Sequence, residues 1–174
     1  MYLVDTNVIS EQRKRGAADT GIQAFFAEAE AARRHIYLSV VTLGELRRGV
    51  EMKRHRGDLW QYRTLERWLA SLQWEYARNI LTVDARTSLL WGRLRVPHAE
   101  NPLDKLIAAT ALAHDLTVVT RNVRDFASTG VKILNPFSGH RPAGEQAASL
   151  APSGISGRQF ADNVRWIDSA KHDP

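Results

Sequence analysis

Four acidic residues lie where carboxylates can do chemistry, beside predicted strand ends and helix starts. They are Asp5, Glu45, Asp104 and Asp125. Because the carboxyl ends of parallel strands meet at one edge of a sheet, we expect these side chains to converge there. Converging carboxylates repel one another unless a divalent cation balances them, and donors that are all oxygen favour Mg2+ or Mn2+. The pattern predicts a metal site of the kind that orients water for attack on a phosphodiester.

Each acid also has an ordinary structural explanation. Thr42 and Glu45 match the S/T-x-x-E capping box that opens a helix. Asp104 falls in the predicted first turn of a helix, where complementing the helix dipole is worth about 0.3 to 1 kcal/mol, and Asp125 fits an ordinary turn. Asp5 has the weakest alternative, because an acid directly after an apolar strand is partly desolvated without an evident partner. No single acid is specific, and their joint placement is what favours a metal site.

Short β-favouring runs alternate with amphipathic helical segments along the chain. Strands are predicted over residues 2–4, 35–41, 80–83, 116–119 and 131–134. Helices are predicted over residues 8–14, 21–34 and 59–72, and after Thr42, Asp84 and Asn101 as caps. This alternation implies right-handed crossovers, and therefore an α/β fold whose parallel sheet carries helices on both faces.

Composition limits the classes of protein. The chain has 174 residues, of which 44% are hydrophobic and 25% charged, which is enough for one substantial core. It contains no cysteine, so disulfides, thiolate zinc sites and cysteine nucleophiles are excluded. The net charge of +5 and pI near 9.9 suit a polyanionic partner. No window approaches the roughly 18 apolar residues of a membrane span, and no secretory signal is evident, so we expect a cytoplasmic protein without a membrane partner.

The composition changes near the end of the chain. Between Gly139 and Arg158, thirteen of twenty residues are Gly, Ala, Ser or Pro. Such a stretch has little core of its own. We therefore predict one domain over residues 1–138 and an extension over residues 139–174.

Three sequence blocks resemble the signature blocks of a known family. They are LVDTNVIS, SVVTLGELRRGV and NPLDKLIAATALAHDLTVVTRNVRDF. In this order they resemble the PIN-domain family, and more narrowly the VapC-like ribonuclease toxins of type II toxin-antitoxin systems, including the FitB-like branch with its Asn-Pro-Phe ending. The resemblance covers residues 1–138. It implies a three-layer α/β/α sandwich with a mainly parallel central sheet of about five strands.

The resemblance also assigns roles to residues. The family's acidic quartet falls on Asp5, Glu45, Asp104 and Asp125, with Asp5, Asp104 and Asp125 as metal ligands. Thr6 and Thr120 are implied to line the site. Many relatives have an aspartate where this chain has Asn122, so Asn122 and Asp125 compete for the role of fourth site residue.

What the resemblance implies for activity is an endoribonuclease that uses Mg2+, or Mn2+ in its place, to activate water against RNA. Relatives typically form homodimers. A VapB-like antitoxin usually holds them inactive by wrapping the toxin and placing a basic side chain in the acidic pocket. We therefore expect three partners: an RNA substrate, a cognate antitoxin and a second copy of the chain.

A group of basic residues follows Glu45 on the same predicted helix. Its members are Arg47, Arg48, Lys53, Arg54 and Arg56. They are placed to contact RNA phosphates beside an acidic site that would otherwise repel them, which makes Arg47 and Arg48 candidate substrate-binding residues. A solvated helix face explains the same group equally well.

Three tryptophans recur in the following helix, Trp60, Trp68 and Trp74. They are candidates for base stacking, although apolar residues at helical spacing more often face a core or an interface.

Other enzyme classes fit the sequence less well. A haloacid-dehalogenase-type phosphatase needs a second aspartate two residues after the first, and Asn7 stands there. A response-regulator receiver needs an acidic pair after its first strand, which this chain lacks. The strongest rival is a catalytically inactive PIN-fold module that binds RNA or protein, because the fold and its basic surface do not require a metal.

Overall fold

The computed structural model describes residues 1–137. The predicted extension, residues 139–174, and the last residue of the predicted domain lie outside the described part. The strands are β1 (Tyr2–Val4), β2 (Ile36–Ser39), β3 (Ile80–Leu81), β4 (Thr117–Val119) and β5 (Lys132–Leu134). The helices are α1 (Thr6–Gln12), α2 (Thr20–Ala31), α3 (Val40–His55), α4 (Leu59–Glu75), α5 (Ala85–Leu94), α6 (Pro102–Ala113) and α7 (Val123–Phe126). Short 3-10 turns occupy Arg15–Ala17 and Ala127–Thr129.

The five strands form one parallel sheet in the order β3-β2-β1-β4-β5. The first strand is therefore central, with Tyr2 paired to Ile36 of β2 on one side and to Thr117 of β4 on the other. Because all strands run the same way, their carboxyl ends share one edge. The predicted α/β fold with a parallel five-stranded sheet is confirmed.

Successive side chains of the inner strands point to opposite faces of the sheet and build two separate cores. Val4 and Val119 pack with residues of α1, α2, α3 and α4. Leu3 and Val118 pack with residues of α6 and α7, including the fully buried Phe126. Helices thus cover both faces, which makes the predicted three layers.

The third helix begins earlier than its sequence indicates. Ser39 ends β2 and caps α3, since its side-chain oxygen accepts a hydrogen bond from the Val41 N–H at 3.1 Å. Thr42 is fully buried inside the helix, and its hydroxyl has no hydrogen-bond partner within the described residues. The predicted capping box of Thr42 and Glu45 is therefore wrong, because Ser39, three residues earlier, is the N-cap of the helix.

Two other predicted caps have different outcomes. Asp84 caps α5 by accepting from the Thr87 N–H at 2.8 Å, as its sequence predicts. Asn101 does precede α6, but its backbone is left-handed (φ 50°) and its side chain makes no capping bond. Asparagine tolerates this conformation better than most residues, and its side chain is left available for other contacts.

No helix within residues 1–137 is both long enough and apolar enough to span a bilayer.

Candidate active site

Asp5 ends the central strand and begins the first helix. One of its carboxylate oxygens accepts a hydrogen bond from the Thr6 N–H at 2.6 Å, which caps α1. The other accepts from the Asn7 side-chain amide at 2.5 Å and from the Thr120 hydroxyl at 2.6 Å. Only 3% of the residue's surface is exposed. Three donors therefore fix this buried carboxylate in one orientation at the sheet edge.

Two carboxyl groups of the site have pKa values raised by burial and by the charges of neighbouring acids. Burial raises the pKa of Asp5, and the charge of Glu45 raises it further, against the lowering effect of its hydrogen bonds. Burial also raises the pKa of Asp104, and repulsion from Asp5, Asp125 and Glu45 brings it to about 6. The structure thus brings Asp5, Glu45 and Asp125 within electrostatic reach of Asp104.

Glu45 is held at the site by a residue far away in sequence. It is the sixth residue of α3, too far along the helix to cap it. Its carboxylate accepts a hydrogen bond from the Thr6 hydroxyl, in the first turn of α1. Since Ser39 has taken the capping role, Glu45 is available to the acidic group.

The two candidates for the fourth position have different surroundings. Asp125, in α7, accepts a hydrogen bond from the Asn101 side-chain amide at 2.9 Å, and its charge acts on Asp104. Asn122 precedes α7, and its backbone N–H donates to the Thr120 hydroxyl at 3.0 Å. Asp125 therefore contributes charge to the acidic group, whereas Asn122 supports the threonine that holds Asp5.

The donor chemistry of this group fits a hard divalent cation. Asp5, Glu45, Asp104 and Asp125 offer oxygen atoms only, and the mutual repulsion that raises the pKa of Asp104 is the kind that a bound cation relieves. Within residues 1–137, no three acidic or histidine side chains are already close enough together to hold one ion. The fit is one of donor type and charge, and the assignment of ligands is still a prediction.

Asn7 is a site residue that the sequence did not single out. Its side-chain amide donates to Asp5 and, at 3.1 Å, to the Thr120 hydroxyl, while its oxygen accepts from the Arg121 N–H at 3.1 Å. It therefore joins the ends of β1 and β4. The available signal was an amide two residues after the strand-end acid, a position from which a short polar side chain reaches neighbouring backbone.

Lys105, beside Asp104, is the second unpredicted feature. Only 3% of its surface is exposed, and its ammonium donates to the backbone carbonyl of His98. This bond ties the first turn of α6 to the loop that precedes it. A lysine following a helical aspartate gives no sign in the sequence that it will be buried.

Of the basic residues after Glu45, some form ion pairs and others do not. Arg47 makes a two-pronged contact with Glu66 of α4, at 2.5 and 3.1 Å, and lies 3.5 Å from Glu51. Arg54 also pairs with Glu51, at 3.4 Å. Arg48 is exposed and forms no ion pair within the described residues. Of the two candidate substrate-binding arginines, Arg48 is thus the one whose charge is uncompensated.

The three tryptophans of α4 also divide. Trp68 packs against the core beside α1, with the Arg13 guanidinium 5.7 Å from its ring centre, so the packing interpretation is confirmed for it. Trp60 and Trp74 are 76% and 87% exposed, so neither faces the core of the described part.

Comparison with known proteins identifies close similarities over nearly all of the described part. A family model of the PIN domain matches residues 2–132. Toxin FitB of Neisseria gonorrhoeae is 32% identical over 145 residues, which cover 79% of this chain and 99% of FitB. VapC ribonuclease Y4jK of Sinorhizobium fredii is 32% identical over 144 residues, which cover 79% of this chain and 98% of that protein.

The fold has a match of the same kind among solved structures. The crystal structure of FitAcB from Neisseria gonorrhoeae superposes with a TM-score of 0.62 and 32% sequence identity. The match covers 78% of this chain and 98% of the other.

Proposed function

Because this chain belongs to the PIN-domain family, close to its VapC and FitB toxins, we propose that it is a metal-dependent endoribonuclease and the toxin of a type II toxin-antitoxin pair. The observation that supports this most directly is the acidic group at the carboxyl edge of the sheet. Burial and the charges of three other acids raise the pKa of Asp104 to about 6. A group of this kind has little structural use without a cation to balance it.

We propose that Asp5, Asp104 and Asp125 hold Mg2+, with Mn2+ as a substitute. When bound, such an ion lowers the pKa of a water molecule and offsets negative charge on the phosphate oxygens. Asp5 is already fixed by three hydrogen-bond donors, so its oxygens need no reorientation.

The remaining residues of the site act by positioning and by charge. Thr6 holds the carboxylate of Glu45, and Thr120 and Asn7 hold that of Asp5. Arg48 offers an uncompensated cation three residues after Glu45, which suits it to an RNA phosphate. Together these residues orient the carboxylates and offset their repulsion of the substrate.

The partners of the protein follow from the same proposal. FitB is named a toxin, and the resemblance to type II toxins implies an antitoxin protein that holds the toxin inactive. We propose a VapB-like antitoxin as the cognate partner and a homodimer as the assembly. For the antitoxin, we expect a small reading frame adjacent to the gene, whose product co-purifies with this chain. For the homodimer, we expect light scattering to give a mass of twice that of the chain.

The decisive experiment is a cleavage assay on the purified chain free of antitoxin. With an RNA pool and Mn2+ or Mg2+ we expect internal cleavage, which EDTA abolishes and added metal restores. Cleavage that survives EDTA would contradict the metal-dependent mechanism. Binding of RNA without cleavage under any of these conditions would instead support an inactive binding module.

A further inference from the structure

We propose that the outer face of α4 is a binding surface for single-stranded RNA, separate from the acidic group. The proposal rests on the proposed function, since RNA is the substrate named there. Trp60 and Trp74 stand near the two ends of this helix and are 76% and 87% exposed. Arg63 and Arg67 are exposed between them. We call these four residues the α4 stripe.

The spacing places the four side chains on one face of the helix. Successive members are three, four and seven residues apart, which is the spacing of neighbours along a helical stripe. At a rise of 1.5 Å per residue, the stripe spans about 21 Å. It is long enough to contact several nucleotides of an extended strand.

The stripe carries positive charge that the described residues leave uncompensated. Arg63 and Arg67 form no ion pair within residues 1–137. The acid between them on the helix, Glu66, is already occupied by Arg47. A partner for this surface must therefore bring negative charge.

The basic end of α3 extends this charge. Lys53, Arg54 and His55 form its last turn, and the Arg54 guanidinium lies 6.0 Å from the ring centre of Tyr62 in α4. That contact places the last turn of α3 beside the first turns of α4. This basic turn therefore lies close to the start of α4, although Arg54 also pairs with Glu51.

A second copy of the chain does not meet the charge requirement. In a twofold contact between two stripes, Arg63 and Arg67 would face the arginines of the other copy, and Glu66, the acid between them, is already paired with Arg47. RNA supplies both features that the stripe needs: phosphates for the arginines and flat bases for the tryptophans. Alternating aromatic and cationic side chains are the recurrent means of binding single strands without reading their sequence.

The test measures binding rather than cleavage. The full chain carrying Asp5→Asn, in EDTA, is titrated with oligouridylate or oligoadenylate of about 12 nucleotides, within the site sizes of single-strand binding proteins. Fluorescence anisotropy of the labelled RNA gives Kd, and quenching of tryptophan emission reports stacking. We expect Trp60→Ala with Trp74→Ala to weaken binding by about tenfold or more, since each stacked base contributes severalfold.

Matched variants separate this surface from general effects. Leu89→Ala removes another exposed apolar side chain, 54% exposed on α5, and should leave Kd unchanged. Arg63→Ala and Arg67→Ala should each lower the slope of log Kd against log salt by about 0.7. Replacing both tryptophans with phenylalanine should restore part of the affinity, because the aromatic faces remain.

Three results would overturn the proposal. One is unchanged RNA affinity in the double tryptophan variant. Another is a change in its mass by light scattering while its RNA affinity stays the same, which would make the stripe a protein interface. A third is tryptophan-dependent binding of polyglutamate as tight as that of RNA.

These outcomes are independent of the cleavage assay. If the unmodified chain cleaves RNA and the double variant binds RNA normally, the α4 stripe is not an RNA-binding surface and the proposed function stands. If the chain never cleaves RNA but its RNA binding depends on Trp60 and Trp74, the proposed nuclease fails and the stripe stands.

Discussion

Thr6 donates a hydrogen bond to Glu45 across 39 residues of sequence, and so joins the start of α1 to the second turn of α3. Each partner would be an ordinary helix-start residue in its own segment. The bond gives Glu45 a fixed place in the acidic group, and it follows from Ser39, not Thr42, starting the helix. Glu45 is therefore free of the capping role that its sequence suggests.

The Thr6 and Glu45 contact predicts what Glu45→Gln does. The glutamine oxygen can still accept from the Thr6 hydroxyl, so the melting temperature should change little. Loss of the charge should lower RNA cleavage by roughly 10-fold or more, the scale seen for residues around metal sites. Glu30→Gln, an exposed change on α2, is the control. A variant that cleaves normally would remove Glu45 from the site.

Asp5→Asn removes a charge from the centre of the site while keeping an N-cap residue for α1. Asparagine is as good an N-cap as aspartate, so α1 should remain capped. Loss of a ligand charge should lower cleavage by roughly 100-fold or more. The matched control is Asp84→Asn, which makes the same change at the cap of α5. Loss of activity together with loss of folded structure by circular dichroism would refute this interpretation.

The raised pKa of Asp104 predicts that the stability of the metal-free protein depends on pH. Its pKa is about 6 in the folded protein, against an ordinary value of 3.8 for an aspartate, so the folded state holds the proton more tightly. The stabilisation that comes from binding this proton is complete below the pKa of Asp104 in the unfolded chain. It is lost as the pH rises through the pKa of Asp104 in the folded protein. In EDTA, Asp104→Asn should therefore melt higher than the unmodified chain above pH 6, and the difference should shrink toward pH 4. A difference independent of pH would contradict the repulsion described for this residue.

Substituting Asp125 and Asn122 separately can decide which of them is the fourth site residue. Because the charge of Asp125 acts on Asp104, Asp125→Asn should lower cleavage and raise the Mn2+ concentration needed for half-maximal rate. Asn122→Ala leaves the backbone N–H that supports Thr120 in place, so its effect should be smaller. The reverse order of effects in a metal titration would assign the fourth position to Asn122.

Arg48 and Arg47 should differ as substrate-binding residues. Arg48→Ala should raise KM and lower the salt slope of RNA binding by about 0.7, since it removes a free cation. Arg47→Ala should leave RNA affinity nearly unchanged, because Glu66 already holds that guanidinium. Its expected effect is a small drop in melting temperature, as for most exposed ion pairs. Equal losses of affinity would show that the ion pair opens for RNA.

The sequence predicted the order of strands and helices because that order depends on local patterns. Alternation of β-favouring and helical segments indicated a parallel sheet, and Asp84 was placed correctly as a cap. The start of α3 was predicted too late, since Ser39 and Thr42 are both good caps and tertiary burial of Thr42 chose between them. Burial of this kind cannot be read from a short window.

The placement of the acids at one edge of the sheet was predictable, whereas the contacts of Asn7 and Asn101 were not. Asp5, Glu45, Asp104 and Asp125 stand at strand ends or near helix starts, which topology alone brings to one edge. Asn7 contributes through hydrogen bonds to residues 113 and 114 positions away, and Asn101 through one to a residue 24 positions away. Such contacts depend on rotamers and on the spacing of strands in three dimensions. The exposure of Trp60 and Trp74 likewise depends on which face of α4 the rest of the fold covers.

The central position of β1 has a consequence during synthesis. This strand leaves the ribosome well before one of its two neighbours, β4, which begins only at Thr117. Asp5 lacks the Thr120 hydroxyl, and the acidic group lacks Asp125, until these two residues have emerged. Pairings so distant in sequence form late in folding. The proposed nuclease site can therefore assemble on a nascent chain only after Asp125 has left the ribosome.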